Sequence, residues 1–213
     1  YDVKPTDIHW VVTFKDSAQQ QTGGTSKWER QLPSNLSITR APNGKDDSDL
    51  LLAGDVDAIF HPAEPKAYVE RHPKIRRLFT DSRKVERDYF KKTGIFPIMH
   101  LIAIRRKLLA EHPWLAKAVF NAYSQAKQLD YVEMRRIRWA YSALPWYGQE
   151  LKETREVMGE DFYPYGVSQT RKAIETAFRY SFEQGLAKRR LSMEEVMNES
   201  SMEFEEDTPA GGN

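Results

Sequence analysis

An apolar run at positions 94–104 lies in the longest stretch without a charged residue, and it ends in Arg105 and Arg106. Its isoleucine-rich, β-branched character favours a strand that is buried on both faces. Gly94 and Pro97 interrupt its beginning, so we predict that the strand covers 99–104. Short apolar runs alternate with polar loops before this run, and helical periodicity dominates after it. We therefore interpret the run as the passage from one domain to another.

The first part of the chain has the pattern of a mixed or parallel α/β sheet. Alternating or β-branched segments predict four strands, at 8–13, 36–40, 56–60 and 75–79, separated by a loop at 15–27 and by turns. A short helix at 49–53 is predicted to start at Ser48 and to stop at Gly54. A charged connecting helix is predicted at 82–92.

The second part of the chain has the apolar spacing of α-helices. Helices are predicted at 106–111, from Pro113 to near Arg138, at 149–158, at 168–184, and from a capping box of Ser192 and Glu195. The long helix is predicted to bury the residues that recur at helical spacing, namely Leu115, Ala118, Val119, Ala122, Tyr123 and Ala126. The acidic, glycine-containing tail from Glu199 is expected to be disordered.

Composition narrows the classes of protein without selecting one. The chain has 213 residues, a formal net charge of +1 and no cysteine, which excludes disulfides, thiolate metal sites and a cysteine nucleophile. No stretch approaches the roughly 20 apolar residues of a membrane span. Because the first residues show no signal-peptide character and no initiator methionine, we expect that an N-terminal part of the natural protein is missing. We expect a cytoplasmic location, or a periplasmic one if that part carries a signal.

Several segments together resemble the 4,5-dihydroxyphthalate decarboxylase family. The more specific ones are residues 94–100, which read Gly-Ile-Phe-Pro-Ile-Met-His, and residues 162–166, which read Phe-Tyr-Pro-Tyr-Gly. Further matching segments lie at 7–10, 75–79, 144–146 and 180–187. The segment 51–60, with its Gly-x-Val-Asp-Ala pattern, resembles a recurrent unit of the type 2 periplasmic-binding-protein fold.

The resemblance implies an α/β fold that is a partial type 2 periplasmic-binding-protein-like fold. In it, an α/β lobe fragment and a helix-rich lobe fragment are joined by crossing strands. Residues 1–82 would form the incomplete α/β lobe and 83–98 the crossing segment. Residues 99–198 would form the returning strand and the helix-rich part of the other lobe, followed by the disordered acidic tail at 199–213. The family begins with a further α/β segment that is absent from this sequence.

The resemblance also implies a function. The first hypothesis is a decarboxylase that acts on a hydroxylated aromatic carboxylate, similar to 4,5-dihydroxyphthalate, bound between two lobes. The alternative is a solute-binding protein of an ABC-type transporter that binds a small organic anion without chemistry. Besides that anion, the expected partner is the missing N-terminal segment of the same chain, with no nucleic acid and no membrane insertion. No cofactor is predicted; a divalent metal could polarise the catechol oxygens, but the sequence names no ligands for it.

Five residues form the predicted site. His100, at the crossing between lobes, is either a contact to a ligand carboxylate, a proton donor to the ring carbon that loses carbon dioxide, or a hinge histidine bonded to backbone. His61 follows a predicted strand end, where ligands of open α/β sheets gather; the alternative is an exposed loop histidine. Arg40 ends a strand and offers a guanidinium fork to a carboxylate, and Pro97 and Met99 complete the predicted substrate-binding set.

Overall fold

The computed structural model describes residues 3–13, 17, 34–61, 63–136 and 141–206. The chain divides into two compact units, one comprising 1–82 with 182–188 and the other 83–181 with 189–213. The predicted lobe boundaries stay a prediction. Apart from Ser17, the predicted loop at 15–27 lies outside the described residues.

The first unit is built on two parallel strands, β1 (His9–Val12) and β2 (Ser37–Arg40), in the register His9 opposite Ser37 and Val12 opposite Arg40. A short 3₁₀ helix, Pro5–Asp7, precedes β1. After β2 follow helix α1 (Asp47–Ala53) and the single-turn helix α2 (Lys66–Val69). The cap of α1 is Asp46 rather than the predicted Ser48, and the predicted stop at Gly54 is confirmed by its left-handed backbone, with φ of 77°.

Three predicted strands are absent from the described part of the chain. β1 and β2 form the one sheet there, and residues 56–60, 75–79 and 99–104 belong to no strand. The physical reason is that a strand exists only where a neighbour accepts and donates its backbone hydrogen bonds, and β-branched composition does not supply that neighbour. Met99, Leu101 and Ile102 are 73%, 66% and 54% exposed, so the segment 99–104 is also not buried on both faces as predicted.

The second unit is helical, as its sequence periodicity predicts. Its helices are α3 (Ser82–Thr93), α4 (Arg106–Glu111), α5 (Leu115–Arg135), α6 (Tyr147–Met158), α7 (Val167–Glu183) and α8 (Met193–Val196), with a 3₁₀ turn at Glu199–Ser201. The capping box of Ser192 and Glu195 is confirmed. The predicted extension of α5 to Arg138 reaches into residues 137–140, which lie outside the described residues. The chain is therefore mixed α/β, mostly helical, with a small parallel sheet.

The buried face of α5 is not the predicted one. Ser124, Lys127 and Tyr131 are buried, whereas Tyr123 is 52% exposed. Charge explains the difference, because Lys127 is buried only where carboxylates neutralise it, and such partners are invisible in a count of apolar spacing.

The expectation of a disordered tail is wrong for residues 199–206. Met202 packs against a core cluster of Val167, Ile174 and Met193, and the side chain of Glu206 is 4% exposed. Buried apolar area and a buried ion pair thus hold a segment that its acidic composition assigns to solvent. Residues 207–213 lie outside the described residues.

Candidate functional site

A polar cluster in the first unit is formed by residues that follow the two parallel strands in the chain. Ser17 follows β1 in the chain, and Asp47 and Ser48 begin α1 after β2. Asp47 Oδ1 accepts from the backbone N–H groups of Ser17 and Ser48, each over 2.9 Å, and the two serine hydroxyls are 2.8 Å apart. The serine hydroxyls in turn accept from the first N–H groups of α2, at Lys66 over 3.0 Å and Ala67 over 3.1 Å. The cluster therefore joins α1 and α2 to Ser17.

The second oxygen of Asp47 has no such role. Asp47 Oδ2 is buried and has no hydrogen-bond partner among the described residues, and the whole residue is 7% exposed. An isolated buried carboxylate oxygen is unfavourable, because it has lost its water without gaining a donor. The start of α1 therefore holds an unused acceptor.

Two of the predicted site residues belong to the first unit. Arg40 is exposed at the carboxyl end of β2, which is where the sequence predicts that a strand ends. His61 is half-buried, and its Nδ1 accepts from the backbone N–H of Ala63 over 3.1 Å. This local bond fixes the ring of His61 against its own loop. The assignment of Arg40 and His61 to a ligand site stays a prediction.

The other three predicted residues belong to the second unit. Pro97, Met99 and His100 lie in an extended segment without strand partners, and all three are exposed. Phe96, beside them, makes an edge-to-face ring contact with Tyr163 at 5.5 Å between centroids. His100 is therefore accessible to a small molecule at the surface of the second unit. Its role stays a prediction.

The strongest concentration of buried charge lies in the second unit around Lys127. Its Nζ donates to Asp161 Oδ1 and Oδ2 over 2.8 and 3.0 Å, to the carbonyl of Tyr163 over 2.8 Å, and to Glu206 Oε2. The Lys127 side chain is 5% exposed, and its Nζ lies 4.5 Å from the ring centroid of Tyr165. One buried cation thus serves two carboxylates.

Tyr131 completes this cluster. Its hydroxyl donates to Asp161 Oδ1 over 3.1 Å and accepts from the backbone N–H of Tyr163 over 3.0 Å. Burial raises the pKa of Tyr131 above its ordinary value, and the nearby carboxylates act in the same direction, while the N–H of Tyr163 opposes them. The phenol is therefore held in its neutral, donating form.

The described ranges contain no group of three or more His, Asp or Glu side chains placed to hold a metal ion. No helix within those ranges combines the length and the apolar character that crossing a membrane requires.

Sequence reasoning missed both clusters. The sequence predicts no role for Asp47 or Lys127, and Glu206 falls in the tail that is predicted to be disordered. One signal was available for Lys127, since it follows Ser124 and precedes Tyr131 at the spacing of a single helix face. No sequence signal pairs it with Glu206, which lies 79 residues further along.

Comparison with curated proteins gives two similar chains, both named 4,5-dihydroxyphthalate decarboxylase. The one from Comamonas testosteroni is 29% identical over 203 residues, which cover 95% of this chain and 60% of that protein. The one from Pseudomonas putida is 26% identical over 91 residues, which cover 43% of this chain and 34% of that protein. The chain thus spans 60% or less of each relative it matches. No family model matches the chain. The two relatives support the resemblance that the sequence segments indicate.

Proposed function

We propose that this chain takes part in the decarboxylation of a hydroxylated aromatic carboxylate similar to 4,5-dihydroxyphthalate. The observation that carries the proposal is the similarity to a protein of that name across 95% of the chain. The parallel pair β1–β2, with Arg40 at the carboxyl end of β2, supports a ligand-binding α/β unit. We include in the proposal that the complete fold is of the type 2 periplasmic-binding-protein kind.

The reaction needs a proton and a way to hold negative charge. A hydroxyl para to a carboxylate pushes electron density to the carbon that bears the carboxylate, and that carbon takes up one proton. The bond to the carboxylate then breaks, its electron pair restores the aromatic ring, and carbon dioxide leaves. The residues that catalyse this step bind the carboxylates and deliver the proton.

Arg40 is the residue that we assign to carboxylate binding. It is exposed at the carboxyl end of β2, and a guanidinium forms two parallel hydrogen bonds with a carboxylate, which fixes its orientation. His61 follows α1 in the same unit and offers a second polar contact.

His100 is the residue that we assign to proton delivery. Imidazole is the side chain best suited to donate and recover a proton near neutral pH. It is exposed, and Met99 and Pro97 beside it offer apolar contact to an aromatic ring. A solute-binding role without chemistry is the alternative, and the decarboxylase names of both relatives do not favour it.

The test is to incubate the chain with 4,5-dihydroxyphthalate labelled at its carboxyl carbons, and to measure both carbon dioxide release and binding by calorimetry. Carbon dioxide with 3,4-dihydroxybenzoate as product is the expected result. Binding without carbon dioxide release would replace the enzyme with a binding module, and absence of both would reject the substrate class.

A matched pair of variants then tests the role of Arg40. Arg40→Gln should weaken binding by about tenfold or more, since one charge-assisted contact is worth roughly 1.5–3 kcal/mol. Arg40→Lys keeps the charge but loses the fork, so it should recover only part of that affinity. Equal affinity in both variants and the wild type would remove Arg40 from the site.

A further inference from the structure

The last described residues of the second unit, which follow the core residue Met202, form a short segment, 203–206, which we name the C-terminal strap. Its aromatic residue, Phe204, lies against Phe120 of α5, with 5.3 Å between ring centroids. Lys117 Nζ lies 4.8 Å from the Phe204 centroid and 5.0 Å from the Phe120 centroid, so one cation covers both rings. The strap therefore places its ring in a slot that α5 provides.

The backbone of the strap passes very close to Gly166, at the start of α7. A β-carbon added at Gly166 would come within 2.5 Å of the carbonyl oxygen of Phe204. Gly166 also has a φ of 102°, a conformation that side chains rarely allow. A glycine here thus gives the strap a shallow backbone groove directly beside the aromatic slot.

The carboxylate of Glu206 occupies the end of this groove. Its Oε2 accepts from Lys127 Nζ and, over 2.7 Å, from the backbone N–H of Tyr165. The Glu206 side chain is 4% exposed. An aromatic slot and a buried carboxylate site are therefore separated by two positions along the strap, which is the pattern by which proteins recognise short peptides.

Two features lower the cost of releasing this contact. First, Lys127 keeps two bonds to Asp161 and one to the carbonyl of Tyr163 when Glu206 is removed, so release leaves no uncompensated buried cation. Second, Glu206 Oε1 is buried without a partner among the described residues, which makes the bound state less favourable. Without the strap, Lys127 thus keeps its bonds to Asp161 and to the carbonyl of Tyr163, and with the strap bound one oxygen of Glu206 stays unpaired.

We propose that the surface formed by Phe120, Lys117, Gly166, Tyr165 and Lys127 is a peptide-binding site. It recognises an aromatic residue followed two positions later by a carboxylate. Its occupant is the chain's own strap, which leaves and rebinds without unfolding the second unit. This inference uses none of the residues assigned to decarboxylation and stands independently of that function.

The test uses the full chain with Phe204→Ala and Glu206→Gln, which releases the strap, and a labelled synthetic peptide that spans residues 199–206. The released variant should bind the peptide at least about tenfold more tightly than the wild type, whose site is occupied. The peptide with Glu206→Gln should lose about tenfold or more in affinity, whereas the peptide with Glu205→Gln, an exposed neighbour of equal charge, should bind unchanged.

Other outcomes overturn the proposal. Equal binding of the two altered peptides would show that Lys127 does not select the carboxylate, and a folded released variant without peptide binding would show that no site exists. A released variant that fails to fold would show that the strap is a fixed part of the unit. Hydrogen exchange of the wild type provides a second measurement, since the Tyr165 amide should exchange faster than amides inside α5. Equal exchange at both would also reject the reversible strap.

Discussion

Lys127 and Asp161 form a two-point ion pair, with the lysine Nζ 2.8 Å and 3.0 Å from the two carboxylate oxygens. The two residues are 34 positions apart, on α5 and in the loop before α7. Because the side chains of Lys127 and Asp161 are 5% and 26% exposed, solvent screens this pair less than it screens an ion pair between exposed side chains. It fixes the aromatic loop that carries Phe162 and Tyr163 against α5.

Replacement of Lys127 tests how much this residue contributes to the free energy of unfolding. Lys127→Met leaves Asp161 and Glu206 buried without their cation, and we expect a loss of about 3–5 kcal/mol in the free energy of unfolding. Lys107→Met is the matched control, because the Lys107 side chain is 86% exposed and its ion pair with Glu111 spans 3.7 Å. The control should change stability by about 0.5 kcal/mol or less. Urea denaturation of both variants measures the difference, and similar midpoints would contradict the buried-pair argument.

The raised pKa of Tyr131 predicts that the protein loses stability at alkaline pH. Its folded pKa lies above the ordinary value of 10.0, so the folded state holds the phenolic proton more tightly than the unfolded state does. The resulting stabilisation is complete below the unfolded pKa and is lost as the pH rises above it, because only the unfolded chain ionises there. Wild type should therefore lose stability more steeply than Tyr131→Phe between about pH 9 and 11. Thermal melts across that range measure the slopes, and parallel slopes would count against the raised pKa.

Alanine substitutions at Gly166 and Gly148 form a matched pair that tests the close backbone approach at Gly166. Gly166→Ala combines a φ of 102° with a β-carbon 2.5 Å from the Phe204 carbonyl oxygen, so we expect a loss of roughly 1–3 kcal/mol. Gly148→Ala, inside α6 with open space around the added carbon, should stabilise by about 0.5–1 kcal/mol. Calorimetric melting temperatures of the two variants should shift in opposite directions. A shift in the same direction would refute the close approach at Gly166.

Local signals explain which elements the sequence predicts well. The stop of α1 at Gly54, the stop of α6 at Gly159 and the start of α8 at Ser192 each depend on residues within one helical turn. The strands predicted at 56–60, 75–79 and 99–104 fail because pairing depends on a distant neighbour that no local pattern reveals. The two confirmed strands share the same β-branched character, so that character alone does not separate paired from unpaired segments.

The residues of the candidate sites also divide into those that local features predict and those that depend on contacts between distant positions. Arg40 at the end of β2 follows from a strand and its boundary, which are local features. The partners of Lys127 come from a loop and from the C-terminal strap, and Ser17 meets Asp47 across 30 positions. Such contacts depend on tertiary packing, so sequence reasoning identifies the residue types but not their assembly.

Asp47 offers a test of the unused acceptor. Asp47→Asn keeps the oxygen that accepts from Ser17 and Ser48 and removes the buried charge, so stability should stay within about 1 kcal/mol of wild type. Asp47→Ala removes both accepted bonds and should cost about 1.5–3 kcal/mol. Equal losses in the two variants would mean that the charge itself, rather than its accepted hydrogen bonds, stabilises the start of α1. Chemical denaturation of the full chain distinguishes these cases.

His100 is the residue on which the proposed chemistry depends most. It is exposed in an extended segment, so its removal forfeits little packing, and the thermal midpoint of His100→Ala should match that of wild type. If its imidazole delivers the proton, carbon dioxide release should fall by well over about tenfold, within the range that general acid catalysis contributes. His112→Ala is the matched control, because His112 is also exposed and lies in the turn between α4 and α5, with its ring 5.9 Å from that of Trp114. The control should retain activity. A His100→Ala chain with unchanged turnover would remove this histidine from the mechanism, and one with a lowered midpoint and normal turnover would make it a structural residue of the segment.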